Sequence, residues 1–280
     1  MIKKILASLG LCALLAPLAA AQITGDRIAY YFGDWHNATP HTIRGSLVER
    51  DILTRGDATN PTQKGAVLRF VNSYTYATLA ANASTTPTRL SRQQEIYYVE
   101  SGQGTVTAGG QTAKLFRNIA VLIPANLEFT LNNTGDQPLG MYVVNEPTPA
   151  GFQPNANMLV RDENKVPIST TTRLWSEIVK PLFTTEDGLG TLQNVSTVAF
   201  DPLTISRPFV VNNTGIEEVW TALYGTGIAF VSNALFKQTP GMAFYHVPDN
   251  LTPHSTINPS ANSQIEFLYF ARYQPHDERK

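Results

Sequence analysis

The residues of this 280-residue chain that can do chemistry are few, and the most suggestive lie in its last third. There are five histidines and one cysteine. His246 and His254 share that region with Glu218, and imidazole plus carboxylate is a donor set that a divalent ion such as Mn2+ or Fe2+ accepts. Asn212 and Asn213 add hard, weak oxygen donors that suit Ca2+ or Mn2+. Without an ion, the same residues make a polar cleft in which His254 bonds to Glu218. Trp220 and Tyr224, close behind the acid, offer rings on which a sugar or phenol could stack, as do Tyr97 and Tyr98 in the earlier half. Asp34 and His36 form a second acid–base pair; on a strand they would share one face. The plainer reading of their neighbourhood, Tyr30 to Trp35, is an aromatic strand packed over a neighbouring unit. His254 with Tyr245 or Tyr269 is a further acid–base combination. The chain has no G-x-S-x-G, no glycine-rich phosphate loop and no H-E-x-x-H.

Short β-branched and aromatic runs broken by Gly, Asn and Pro must position these residues. Glu95–Glu100, Ile119–Ile123, Val219–Tyr224, Ala243–Val247 and Ile265–Ala271 are examples, and many short strands at regular spacing predict a sandwich or barrel. One helix is expected, over Arg173–Phe183, from the spacing of Leu174, Trp175, Ile178, Val179 and Leu182. A repeat underlies the strands. Glu95 is followed seven residues later by Gly102, and Glu218 seven later by Gly225. Pro124-Ala125-Asn126-Leu127 then matches Pro248-Asp249-Asn250-Leu251 at nearly the same offset. Gly102 and Gly225 fall where a tight hairpin needs positive φ. The Pro-, Asn- and Gly-rich segment Glu146–Pro167 reads as a linker, which places the units at 22–150 and 151–280.

The E-x6-G element followed by P-x-(G/N) resembles the two motifs of the cupin superfamily. The resemblance covers about 95–133 and 218–258. It implies an all-β chain of two cupin double-stranded β-helix (jelly-roll) barrels with a short helix between them. Cupin metal sites take two His and one Glu from the first motif and one His from the second. In the first repeat only Glu95 survives of that set: the early His positions fall among Arg89–Arg92 and the later one on Phe129. A metal-free first barrel is the expectation, with Glu95 at the barrel rim or paired with Arg89 or Arg92. In the second repeat Glu218 matches, His254 stands one residue beyond strict spacing, and the early pair is replaced by the window 211–214. His246 could turn inward in its stead. In layout the chain is also similar to the bicupin ureidoglycine aminohydrolases.

The N-terminus adds compartment. Met1–Lys4 is basic, Ile5–Ala20 is almost wholly apolar, and Ala19-Ala20-Ala21 supplies a small-x-small cleavage pattern, so residues 1–21 read as a secretory signal peptide. Cleavage would remove Cys12, leaving no disulfide and no thiolate. Lys+Arg total 21 and Asp+Glu 22, which argues against a nucleic-acid partner, and no membrane association is expected after cleavage. Sequons at Asn37, Asn82, Asn132, Asn194, Asn212 and Asn250 would be glycosylated in a eukaryotic secretory route. The resulting expectation is a secreted bicupin that binds a small organic ligand (carbohydrate, phenolic or organic acid) in the C-terminal barrel at Trp220, Tyr224 and His254. The alternative is a mononuclear metal-dependent enzyme of oxygenase, decarboxylase or aminohydrolase type holding its ion on Glu218, His246 and His254. A storage or structural role is the third reading. The extensions at both ends could pair two copies into a homodimer.

Overall fold

A computed structural model describes residues 23–171, 176–211 and 215–273. The proposed signal peptide, Asn212, Asn213 and the tail after Tyr273 lie outside them. In the first half the larger sheet runs, in hydrogen-bonded order, 119–123, 93–101, 139–147, 73–79, 47–55, 40–43. The smaller sheet runs 88–89, 128–133, 103–108, 111–116. In the second half the larger sheet runs 242–245, 217–224, 265–272, 194–200, 177–184, and the smaller 234–238, 227–231, 254–257. The shared strands take the same order in both halves, so the repeat in the sequence is a repeated jelly roll.

Each half also lends a strand to the other. Phe32–Asp34 pairs with Met242–Phe244 at the edge of the second large sheet. Leu159–Asp162 pairs with Ile119–Leu122 at the matching edge of the first. The N-terminal extension is therefore used within the chain, and the segment read as a linker carries both this strand and the 3-10 turn Glu163–Lys165 between the barrels.

The exchange explains why the large-sheet strands read as unbroken apolar runs: both faces are covered. Ile119, Val121 and Ile123 join the first barrel's interior, while Ala120 and Leu122 join a core shared between the halves. Likewise Phe267 and Tyr269 face the second barrel's interior and Leu268 and Phe270 the shared core. Two buried carboxylates cross that junction reciprocally. Glu217 of the second half accepts the backbone N–H groups of Arg69, Phe70 and Val71 at 2.6–3.1 Å. Glu146 of the first accepts those of Gly190, Thr191 and Leu192 at 2.7–2.9 Å, with the Gln94 amide at 2.7 Å.

Gly102 and Gly225 have φ of 81° and 73°. A Cβ on Gly102 would come within 2.4 Å of the Pro138 carbonyl oxygen, so both the backbone angle and the space demand glycine there. The helix expected over Arg173–Phe183 is corrected by the structure. Residues 172–175 lie outside the described residues, and Glu177–Thr184 is a strand antiparallel to Asn194–Phe200. Its apolar spacing looks helical because the register shifts between Pro181 and Phe183, which breaks strict alternation. Among the described residues no helix is long and apolar enough to cross a membrane.

Candidate metal centre

The second barrel's interior holds the cluster that the sequence suggested. Glu218 points inward from strand Glu217–Tyr224, His246 follows strand Met242–Tyr245, and His254 opens strand His254–Ile257. Their donor atoms all lie within 4.8 Å of one another, and all three side chains are buried. His246 Nδ1 and Glu218 Oε2 are 3.0 Å apart. The His246 and His254 ring centroids are 3.8 Å apart. Pro248 ends ladder pairing just after His246, so the chain there can turn its imidazole inward.

Aromatic rings enclose the cluster. Trp220 lies 5.8 Å from His246 and nearly parallel to it, Phe209 meets His254 edge-on at 4.2 Å, and Phe244 sits 5.0 Å from His246. The packing around His246 and His254 is tight. Burial pushes His246 down to about 3. His254 is also well below its ordinary value, from burial and then the neighbouring His246. Both imidazoles are therefore neutral, the form that ligates metal. Among the described residues neither ring nitrogen of His254 makes a hydrogen bond of good geometry, the Thr252 backbone being a weak contact only, although the residue is only 1% exposed. Leaving such a group unpaired costs about 1–3 kcal/mol. A divalent ion is a partner that a neutral imidazole satisfies, and two imidazoles with one carboxylate suit Fe2+ or Mn2+. The residues present thus fit a metal.

Glu177, which the sequence placed in a helix, lines the same enclosure with Ser206, Ser255 and Thr256. Burial, helped by the charge of Glu218, pushes its carboxyl up to about 8. No motif spacing could have found it, because it comes from the barrel's outermost strand.

Tyr224 does not join the cluster. A register shift between Ala222 and Tyr224 turns it outward, and it is half-exposed. Tyr245 packs into the core between the halves, while Tyr269 meets Trp220 at a tilt, 5.0 Å between ring centres, inside the barrel. At the N-terminus Asp34 and His36 do meet, at 2.7 Å, but on a 3-10 turn over Trp35–Asn37 and in the open. Trp35 stacks on Tyr76 at 4.0 Å, so the stretch is an aromatic strap packed between the halves.

The first barrel places a cation of its own on the matching acid. Arg44 donates to Glu95 at 2.5 Å, Tyr97 donates to the other carboxylate oxygen, and Asn145 donates at 3.0 Å. Neither Arg89 nor Arg92 is this partner: Arg89 faces Glu128 at 3.9 Å on the surface. Arg44 lies 51 residues from Glu95 in sequence, outside any motif.

Comparison with known proteins agrees with this architecture. Residues 75–145 match the family model described as a cupin domain. The chain is a bicupin in fold. It superposes on protein Ylba from E. coli with a TM-score of 0.67 at 15% identity, covering 93% of this chain and 97% of that one. A mutant of oxalate decarboxylase OxdC from Bacillus subtilis gives 0.64 at 10% identity, covering 92% and 79%. The 7S globulin of Momordica charantia gives 0.62 at 10% identity, covering 88% and 85%. No curated protein sequence matches the chain significantly. These similar structures include a decarboxylase and a globulin alike, so function has to be argued from the site.

Proposed function

We propose that the second barrel holds one divalent ion, Mn2+ or Fe2+, on Glu218, His246 and His254, and that the protein is an exported, mononuclear metal-dependent bicupin acting on a small organic ligand. The observation that carries this is the buried convergence of two neutral imidazoles, His246 and His254, and the Glu218 carboxylate, with no well-formed hydrogen bond on the His254 ring among the described residues. A structural or storage protein has no use for that arrangement; a phenylalanine would fill the space at lower cost, as Phe129 does in the first barrel. The signal-like segment at residues 1–21 supports export.

Bound, the ion would act as a Lewis acid toward an oxygen of the ligand. The chain's own residues supply the rest. Trp220, Phe209 and Phe244 exclude water and offer rings to a flat or apolar ligand. Glu177 holds a proton on a buried carboxyl within the same enclosure, so it can donate a hydrogen bond to a ligand oxygen. Ligand entry requires rings to move, and the irregular chain around Phe209, held to strand His254–Ile257 by isolated bridges rather than a continuous ladder, is the place for it.

Elemental analysis of the full-length protein is the test. Close to one equivalent of Mn or Fe, lost in His254→Ala, is expected. A protein that takes up no divalent ion, or one whose metal content is unchanged in His254→Ala, would overturn the reading.

A further inference from the structure

A second site lies outside the barrels. Where the halves meet, a groove of about 510 Å3 is walled by Arg55, Arg69 and Phe70 from the first half and by Gln193, Arg272 and Tyr273 from the second, with Pro147–Pro149 between them. Among the described residues, all three charged side chains on its wall are arginines. In a chain whose acids slightly outnumber its bases, that separation of charge is a local feature.

The guanidinium groups are held in place. The Arg272 guanidinium lies 3.8 Å from the Phe70 ring centre and that of Arg69 5.2 Å from the same centre. Arg55 donates to the Asn72 side chain at 3.0 Å and to the Arg69 carbonyl at 3.1 Å. Arg272 donates to the Gly215 carbonyl. A guanidinium carries five donors, and these bonds use two on Arg55 and one on Arg272, while Arg69 has a further partner besides. The nearby acid, Glu217, does not line the groove: its carboxylate is buried under the backbone N–H groups of residues 69–71. Burial, opposed by Glu217 and reinforced by Arg69, holds Arg272 below the ordinary arginine range. An anion in the groove would relieve that crowding.

We propose that this inter-barrel groove binds a small molecule through an oxyanion group, a carboxylate or a sulfate or phosphate ester, held by Arg55, Arg69 and Arg272. The planar fork of arginine matches the paired oxygens of such groups, and the Phe70–Tyr273 wall gives the rest of the molecule a surface to lie on. The groove needs both barrels, so it belongs to the two-barrel assembly rather than to either barrel alone. It does not depend on the metal reading.

Calorimetric titration of the full chain, at about 20 mM salt, tests it with inorganic sulfate, gluconate and neutral glucose. Saturable binding of sulfate or gluconate, and none of glucose, is expected. Arg55→Gln and Arg69→Gln should each weaken it at least about fivefold, as should a rise to about 200 mM salt. Sulfate binding alone would mark an ester oxyanion, and gluconate binding alone a carboxylate. His254→Ala, which removes a proposed metal ligand, should leave binding intact, so failure of one site is distinguishable from failure of the other. Absence of saturable binding, or binding indifferent to both arginine variants, overturns the proposal. So does loss of gluconate binding in His254→Ala with sulfate binding absent throughout, since that places the anion on the metal.

Discussion

Phe129 and His254 hold the same register position in the two barrels. Each faces the last residue of the strand that follows the hairpin glycine, Ala108 in one case and Val231 in the other. The neighbouring strand-end asparagines also correspond. Asn133 donates to the Leu79 and Gln137 carbonyls, and Asn258 to the Phe200 and Ser263 carbonyls, each pinning its loop. One scaffold position thus carries a hydrocarbon ring in one barrel and an imidazole in the other. The acid across the barrel follows suit, paired with a guanidinium in the first and with His246 in the second.

His254→Phe should therefore convert the second barrel toward the first. Metal uptake is expected to vanish. The metal-free protein should gain about 1–2 kcal/mol, because an unpaired buried imidazole is replaced by a ring with nothing to satisfy. Urea denaturation of metal-stripped protein reads this; a marked loss of stability would show that the imidazole makes bonds that matter.

Arg44→Met leaves the Glu95 carboxylate buried without its cation. The cost should be about 3–5 kcal/mol. Adding Glu95→Gln to the same chain should recover much of it, since no uncompensated charge remains. Chemical denaturation of the two single variants and the double variant measures the coupling.

Glu217→Ala and Glu146→Ala each strip three backbone N–H groups of their acceptor at the junction between the barrels. Each should lose about 2–4 kcal/mol. The two acids come from non-equivalent strands, but each caps three N–H groups of corresponding loops, 69–71 and 190–192, so their losses should be similar. Thermal unfolding, with limited proteolysis at 69–71 and 190–192, would show whether the loops loosen first.

Glu49 gives a pH dependence of definite sign. Burial, with Glu95 adding to it, raises its carboxyl from 4.5 to about 7. The folded protein therefore binds a proton in that window that the unfolded chain has released. This group's contribution falls as pH rises from 4.5 to 7, by about 1.4 kcal/mol per pH unit at most. Glu49→Gln should match the parent near pH 4.5 and exceed it in stability at pH 8. Equal stability of the two at both pH values would place Glu49 in contact with water.

The sequence by itself determined the repeated barrel, the hairpin glycines and the acid positions Glu95 and Glu218, because period-two patterning and positive-φ turns are local requirements. It also brought His254 forward through its near-match to the later cupin motif, and His246 as a strand-end imidazole able to turn inward. Tertiary structure decided what those residues meet. Arg44 reaches Glu95, Glu177 reaches the second barrel's enclosure, and three arginines from two halves share one groove, all across separations that no spacing rule encodes. Tyr224 was misplaced because a single register shift reverses the face a strand residue shows. The strand Glu177–Thr184 was read as helix because its bulge disguises its alternation. Contacts between distant strands depend on register and closure, which the whole sheet sets together and no short window of sequence contains.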